Sequence, residues 1–69
     1  MNESIKEREL RIWNETLEND DRRISAPDCY VGELQGHAKT LARLEIIDLF
    51  ELRSLIELAD AASSRPIEE

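Results

Sequence analysis

The sequence predicts an all-α fold: an N-terminal helix followed by an antiparallel helical hairpin, three helices in all. Three observations predict it. Apolar residues recur at intervals of three and four in three separate segments. Two capping boxes, Ser4-x-x-Glu7 and Asp48-x-x-Glu51, stand at the head of two of those segments. No segment alternates apolar and polar residues as a half-buried strand does.

The first helix is expected over about residues 5–19. Ile5, Leu10, Ile12, Trp13 and Leu17 cover one broad side of it. That stripe has two edges, Ile5/Ile12 and Leu10/Trp13/Leu17, and two edges suit two neighbours, as a short helix in a dimer requires. Asn19-Asp20-Asp21-Arg22-Arg23 breaks the periodicity and reads as a linker with Ile24 tucked beneath it.

Ser25-Ala26-Pro27-Asp28 opens the second helix, because Pro fits a first helical turn and Asp suits the positive end of the dipole. The stripe Tyr30, Leu34, Ala38 and Leu41, flanked by Val31, His37 and Leu44, carries it to about Leu44. The Asp48/Glu51 box starts the third helix, about Leu49 to Ser63, with Leu52, Leu55, Ile56, Ala59 and Ala62 on one side. The connection Glu45-Ile46-Ile47-Asp48 is short and forces an antiparallel hairpin over about residues 26–63, its end plugged by Ile46 and Ile47. Residues 64–69 read as a frayed tail in which Pro66 ends any helix before it. The whole is one small helical domain.

Size restricts what such a domain can do. A chain of 69 residues rarely draws more than about 3–5 kcal/mol from its core without a staple. Cys29 is the only cysteine and His37 the only histidine, so neither an internal disulfide nor a Cys/His metal cage is available. A partner chain is the remaining staple, and a homodimer is expected. Sixteen acidic against nine basic residues give a net charge of −7, which disfavours direct binding to nucleic acid or an anionic membrane. No apolar run approaches the ~20 residues that span a bilayer. A lone thiol, with no apolar leader at the N-terminus, suits a reducing cytoplasm.

The residues with chemical potential are dispersed. Cys29 and His37 are eight residues apart on one helix, roughly 12 Å along the axis, beyond nucleophile–base reach. Cys29 reads as a small filler near a helix start. His37, four residues after Glu33, reads as an edge residue of the stripe or a dimer contact. Paired-carboxylate chemistry needs a cleft that a chain this short does not readily wall. No Gly-rich phosphate loop and no metal-ligand spacing occurs. No catalytic, cofactor or metal residues are expected, and the chain is not expected to be an enzyme.

Gly32-x-x-x-Gly36 is more informative. Each glycine in a helix interior costs about 1 kcal/mol relative to alanine. The pair falls opposite the Tyr30/Leu34/Leu41 stripe, beside Lys39 and Arg43. It reads either as a close helix contact, with helix one or across a dimer axis, or as glycine tolerated on a wet surface. Phe50 is off the stripe of its helix, near Arg53 and Glu57. It is either a binding anchor or a cover over Ile46 and Ile47. For Trp13 and Tyr30, core packing competes with an anchor role.

Two helices with a short connection suggest helix-turn-helix DNA binding, but the third helix offers Arg53 against Asp48, Glu51, Glu57 and Asp60, the wrong sign for a recognition helix. The reverse idea is an acidic mimic of nucleic acid. Here Lys6, Arg8 and Arg11 interrupt Glu3, Glu7 and Glu9.

The stretch from Tyr30-Val31-Gly32-Glu33-Leu34 through Leu44-Glu45-Ile46-Ile47-Asp48-Leu49-Phe50-Glu51-Leu52 to Ala59-Asp60-Ala61-Ala62 resembles a pattern in small accessory proteins of temperate phages, prophages and plasmids. There an aromatic-led helix with small residues precedes an Ile-Asp-x-x-Glu turn and a Leu/Ala-rich helix. The resemblance covers about half the chain. It implies a cytoplasmic accessory protein that binds and blocks one host protein, such as a transcription regulator, a motility component or a defence factor. It carries over no functional residues.

The expectation is therefore a non-catalytic, dimeric protein-binding module that inhibits or modulates a host protein. Oligomer contacts are expected at Ile5, Ile12, Trp13, Gly32 and Gly36, and partner contacts at Arg8, Arg11, Tyr30, Phe50 and Arg53. The alternatives are an acidic mimic occupying a basic DNA-binding site and a small self-assembling structural subunit.

Overall fold

The computed structural model describes residues 3–64. They form four helices: α1 (Ile5–Leu17), α2 (Asp20–Ser25), α3 (Pro27–Arg43) and α4 (Leu49–Ser63). No strand occurs among the described residues. Apart from Ser64, which stands at the α4 C-cap, the frayed tail expected at 64–69 lies outside them.

The chain is all-α, with one more helix than the sequence pattern suggests. The predicted linker is α2. Asn19 caps it, its side chain accepting the Arg22 N–H at 3.1 Å. Asp20 and Asp21 occupy its positive first turn and Arg22 and Arg23 its negative last turn. Every residue that read as linker polarity is placed where a helix terminus needs it. A helix of six residues is not stable alone; an Arg22–Glu33 ion pair ties it to α3. Ile24 is 47% exposed rather than tucked under the segment.

α1 stops at Leu17, two residues short of expectation, because Asn19 serves as the next cap. At its start the Ser4 hydroxyl accepts the Glu7 N–H at 3.1 Å. At α4 both halves of the capping box form: Asp48 accepts the Glu51 N–H at 2.8 Å, and the Glu51 carboxylate accepts the Asp48 N–H at 3.0 Å.

α3 ends in a Schellman turn. The Ile46 N–H bonds the Leu41 carbonyl at 2.9 Å and the Glu45 N–H bonds the Ala42 carbonyl at 3.0 Å. Glu45 takes the left-handed slot, φ 60°, usually filled by glycine. A side chain there costs roughly 1–2 kcal/mol. Beyond the turn Ile47 is buried and plugs the hairpin end.

The core is one cluster: Trp13, Tyr30, Leu34, Ala38, Leu41, Ile47, Leu55, Ala59 and Ala62. α3 is its centre, packed against both α4 and α1. Alanines at 38, 59 and 62 let α3 and α4 approach closely. Three polar contacts fix α1 on α3. The Tyr30 hydroxyl donates to the Leu17 carbonyl, the Trp13 indole N–H donates to the Leu34 carbonyl at 2.9 Å, and His37 Nε2 stands 3.0 Å from Glu9 Oε1. As the α1 partner steps back from 17 to 13 to 9, the α3 partner steps forward from 30 to 34 to 37. The two helices are therefore antiparallel.

Trp13→Ala should cost about 3–5 kcal/mol, the cost of truncating a buried aromatic, which is comparable with the whole core contribution expected at this size. Loss of the helical circular-dichroism signal at room temperature is the expected readout; an unchanged melting curve would contradict the placement. Glu45→Gly should stabilise by about 1 kcal/mol through relief of the left-handed strain, read as a higher urea midpoint at constant slope.

Candidate functional site

The expected contact residues divide by burial. Trp13 and Tyr30 are completely buried within the single chain. Tyr30 therefore offers no surface to a partner, a correction to its expected role. Its hydroxyl serves the last turn of α1, whose carbonyls lack intrahelical partners. Ile5 and Ile12 are 69% and 39% exposed on the outer edge of α1.

Gly32 and Gly36 are exposed, and no atom lies within 4 Å of where a Cβ would stand on either. α1 is not the helix they would admit, because α1 packs on the opposite, buried side of α3 through Trp13. His37 pairs with Glu9 of α1 rather than with Glu33 of its own helix; Glu33 faces Arg22 instead. Cys29 is exposed in the first turn of α3. Among the described residues no group of His, Cys, Asp or Glu is arranged to hold a metal ion. No described helix is long and apolar enough to cross a membrane.

Arg8 and Arg11 are both exposed. Arg11 reaches two carboxylates, Glu3 at 3.0 Å and Glu15 at 2.9 Å. The Arg11 hydrogen bond holds the Glu3 carboxyl below its ordinary range, and Glu3 in turn raises Arg11. Lys6 Nζ lies 2.6 Å from Glu51 Oε2, tying α1 to the start of α4. Glu51 is held below the usual carboxylate range, first by Lys6 and then by the Asp48 backbone N–H.

Among the described residues the two most accessible large apolar side chains, Phe50 and Leu49, stand at the hairpin end, with Leu44 nearby. Leu49 is 78% exposed, Phe50 82% and Leu44 56%. Phe50 does not fold over Ile46 or Ile47. A shallow cleft of about 460 Å³ opens beside Leu49. Its apolar lining is Ala42, Ile46, Ile47 and Leu49, and its rim carries Glu45, Asp48 and Glu51. A smaller hollow of about 150 Å³ lies between Leu49, Phe50 and Arg53. The capping box holds the backbone under both, so Leu49 is presented on a fixed helix start rather than on a loop. Glu51 is paired with Lys6, which leaves Glu45 and Asp48 as the rim charges beside the apolar residues, and such a cleft fits an apolar side chain flanked by lysine or arginine.

Sequence reasoning places Phe50 and Arg53 on this surface and misses Leu49, Leu44 and Leu58. Leu49 was legible in principle: as the first residue after the Asp48 cap, it precedes the first full turn of packing. No family model matches the chain, no curated protein matches it, and no solved structure matches it.

The Lys6–Glu51 pair generates a pH dependence. The folded Glu51 pKa is depressed, so its stabilisation is fully present above the ordinary glutamate value, about 4.3. It is lost as pH falls from there through the lower folded value. Glu51→Gln should therefore flatten the fall of melting temperature between about pH 5 and pH 3. A slope identical to that of the unaltered chain would show that the pair does not act in solution.

Proposed function

We propose that this chain is a non-catalytic, dimeric protein-binding module that modulates one host protein by direct contact, in the manner of small cytoplasmic accessory proteins of temperate phages. The observation that carries this reading is Leu49, 78% exposed at the lip of the hairpin-end cleft. A large apolar side chain held outward on a capped helix start is an anchor waiting for a pocket. The acidic rim selects a basic, apolar-anchored segment on the partner and speeds its approach.

The mimicry alternative finds less support. Nucleic-acid mimics depend on uninterrupted negative charge, whereas Glu3, Glu15, Glu33 and Glu51 each face an arginine or lysine. The structural-subunit alternative has no specific observation in its favour.

The test is affinity capture from nuclease-treated lysate of the source organism, at low and at physiological salt, read by mass spectrometry. One protein retained at both salts by the unaltered chain, and bound at least about tenfold more weakly by Leu49→Asp, is the expected result. Asp at a first helical position favours the helix, so the fold is preserved. Retention of only basic proteins that wash off with salt would replace this reading with mimicry.

A further inference from the structure

α4 carries a second row of residues outside its buried face. Phe50, Ser54, Leu58 and Ala61 are all exposed, at intervals of four, four and three, which places them on one side of the helix. Phe50 is 82% exposed and Leu58 49%. The buried side, Leu55, Ala59 and Ala62, faces α3. Phe50 follows Leu49 in sequence and so stands about 100° round the helix from it. It is not among the residues lining the larger cleft.

The row alternates large, small, large, small. Reversed, it reads small, large, small, large. An antiparallel second copy therefore sets Ala61 against Phe50 and Leu58 against Ser54, so that every large side chain meets a small one. A parallel copy would stack Phe50 on Phe50 and leave Ser54 facing Ser54. The flanking charges obey the same reversal. Arg53 and Glu57 lie four residues apart on one flank, 3.9 Å from each other and both exposed. Within one chain such a pair contributes little. Antiparallel pairing brings each arginine to the other copy's glutamate as well.

The chain also has apolar surface for such a partner to cover. Among the described residues seven large hydrophobic side chains are exposed, whereas the buried large ones are Trp13, Tyr30, Leu34, Leu41, Ile47 and Leu55. We propose that α4 pairs with α4 of a second copy of this chain, antiparallel about a two-fold axis, through Phe50, Ser54, Leu58 and Ala61, with Arg53 and Glu57 exchanged between copies. The inference rests on the dimeric reading above and assigns its interface to α4, not to the Ile5/Ile12 edge or the glycine face.

Sedimentation equilibrium on the full chain tests it, with helix content and melting temperature followed for every variant. The unaltered chain should sediment as a dimer. Leu58→Glu should weaken association about tenfold or more while keeping the helical signal. Arg53→Glu and Glu57→Arg should each weaken it by placing like charges together, and the combined R53E/E57R variant should recover the original constant. A monomer at all concentrations would overturn both the dimeric reading and this one. A dimer indifferent to Leu58→Glu would leave the dimeric reading standing and overturn the α4 interface. Single and combined charge variants that are equally weak would overturn the antiparallel register.

Discussion

The Trp13 indole is the constraint on which the rest of the arrangement depends. It is the only buried residue of α1, so it holds that helix on the hairpin largely by itself, with Leu10 and Leu17 half-buried beside it. An aliphatic side chain would bind the same surface at several offsets. The indole cannot, because a buried N–H left without an acceptor costs about 1–3 kcal/mol. Its acceptor is one carbonyl, that of Leu34. That requirement converts a greasy contact into a register. Once Trp13 is seated, Leu17 comes under the Tyr30 hydroxyl, Glu9 beside His37 and Lys6 beside Glu51. The same seating leaves Ile5 and Ile12 on the outer edge.

The hairpin supplies the platform for that seating and pays for its sharp turn at one residue. Alanines at the α3–α4 contact bring the helices close, and a close pair needs a tight connection. The Schellman turn provides it, but with Glu45 in a conformation that glycine would take without cost. Strain of this kind persists where the surrounding structure holds it. Glu45 is exposed and contributes to the acidic rim of the cleft beside Leu49. The turn that closes the fold is thus the turn that gives the proposed partner site its charge.

What the sequence makes legible follows from how local each determinant is. The α4 start is written in Asp48 and Glu51, which bond each other three residues apart, and it is read to the residue. The stripe Tyr30, Leu34, Ala38 and Leu41 is likewise a property of one helix, and all four side chains are buried. α2 is hidden because capping residues and linker residues share one composition; only the order Asn-Asp-Asp-Arg-Arg, acids before bases, distinguishes them. The polar partners of Tyr30 and His37 are hidden for a different reason. These partners, the Leu17 carbonyl and Glu9, are thirteen and twenty-eight residues away, and no pattern within a helix points to them. Leu58 escapes notice because it lies between the buried stripe and the Phe50 edge, and only its exposure assigns it to the outer row.

The two apolar features of α4 have a geometric relation that bears on how the molecule would act. Leu49 and Phe50 are neighbours in sequence and diverge by about 100° around the helix, so a dimer through the Phe50 row covers the small hollow between Leu49, Phe50 and Arg53 but leaves the larger cleft beside each Leu49 open. Antiparallel pairing sends the two α4 starts to opposite ends of the assembly, roughly one helix length apart, about 22 Å for fifteen residues. Such a dimer presents two identical acidic-rimmed clefts facing away from each other. It would engage a symmetric host protein at two points, or bridge two copies of it. Either arrangement makes the second contact intramolecular and raises the effective affinity above that of one cleft.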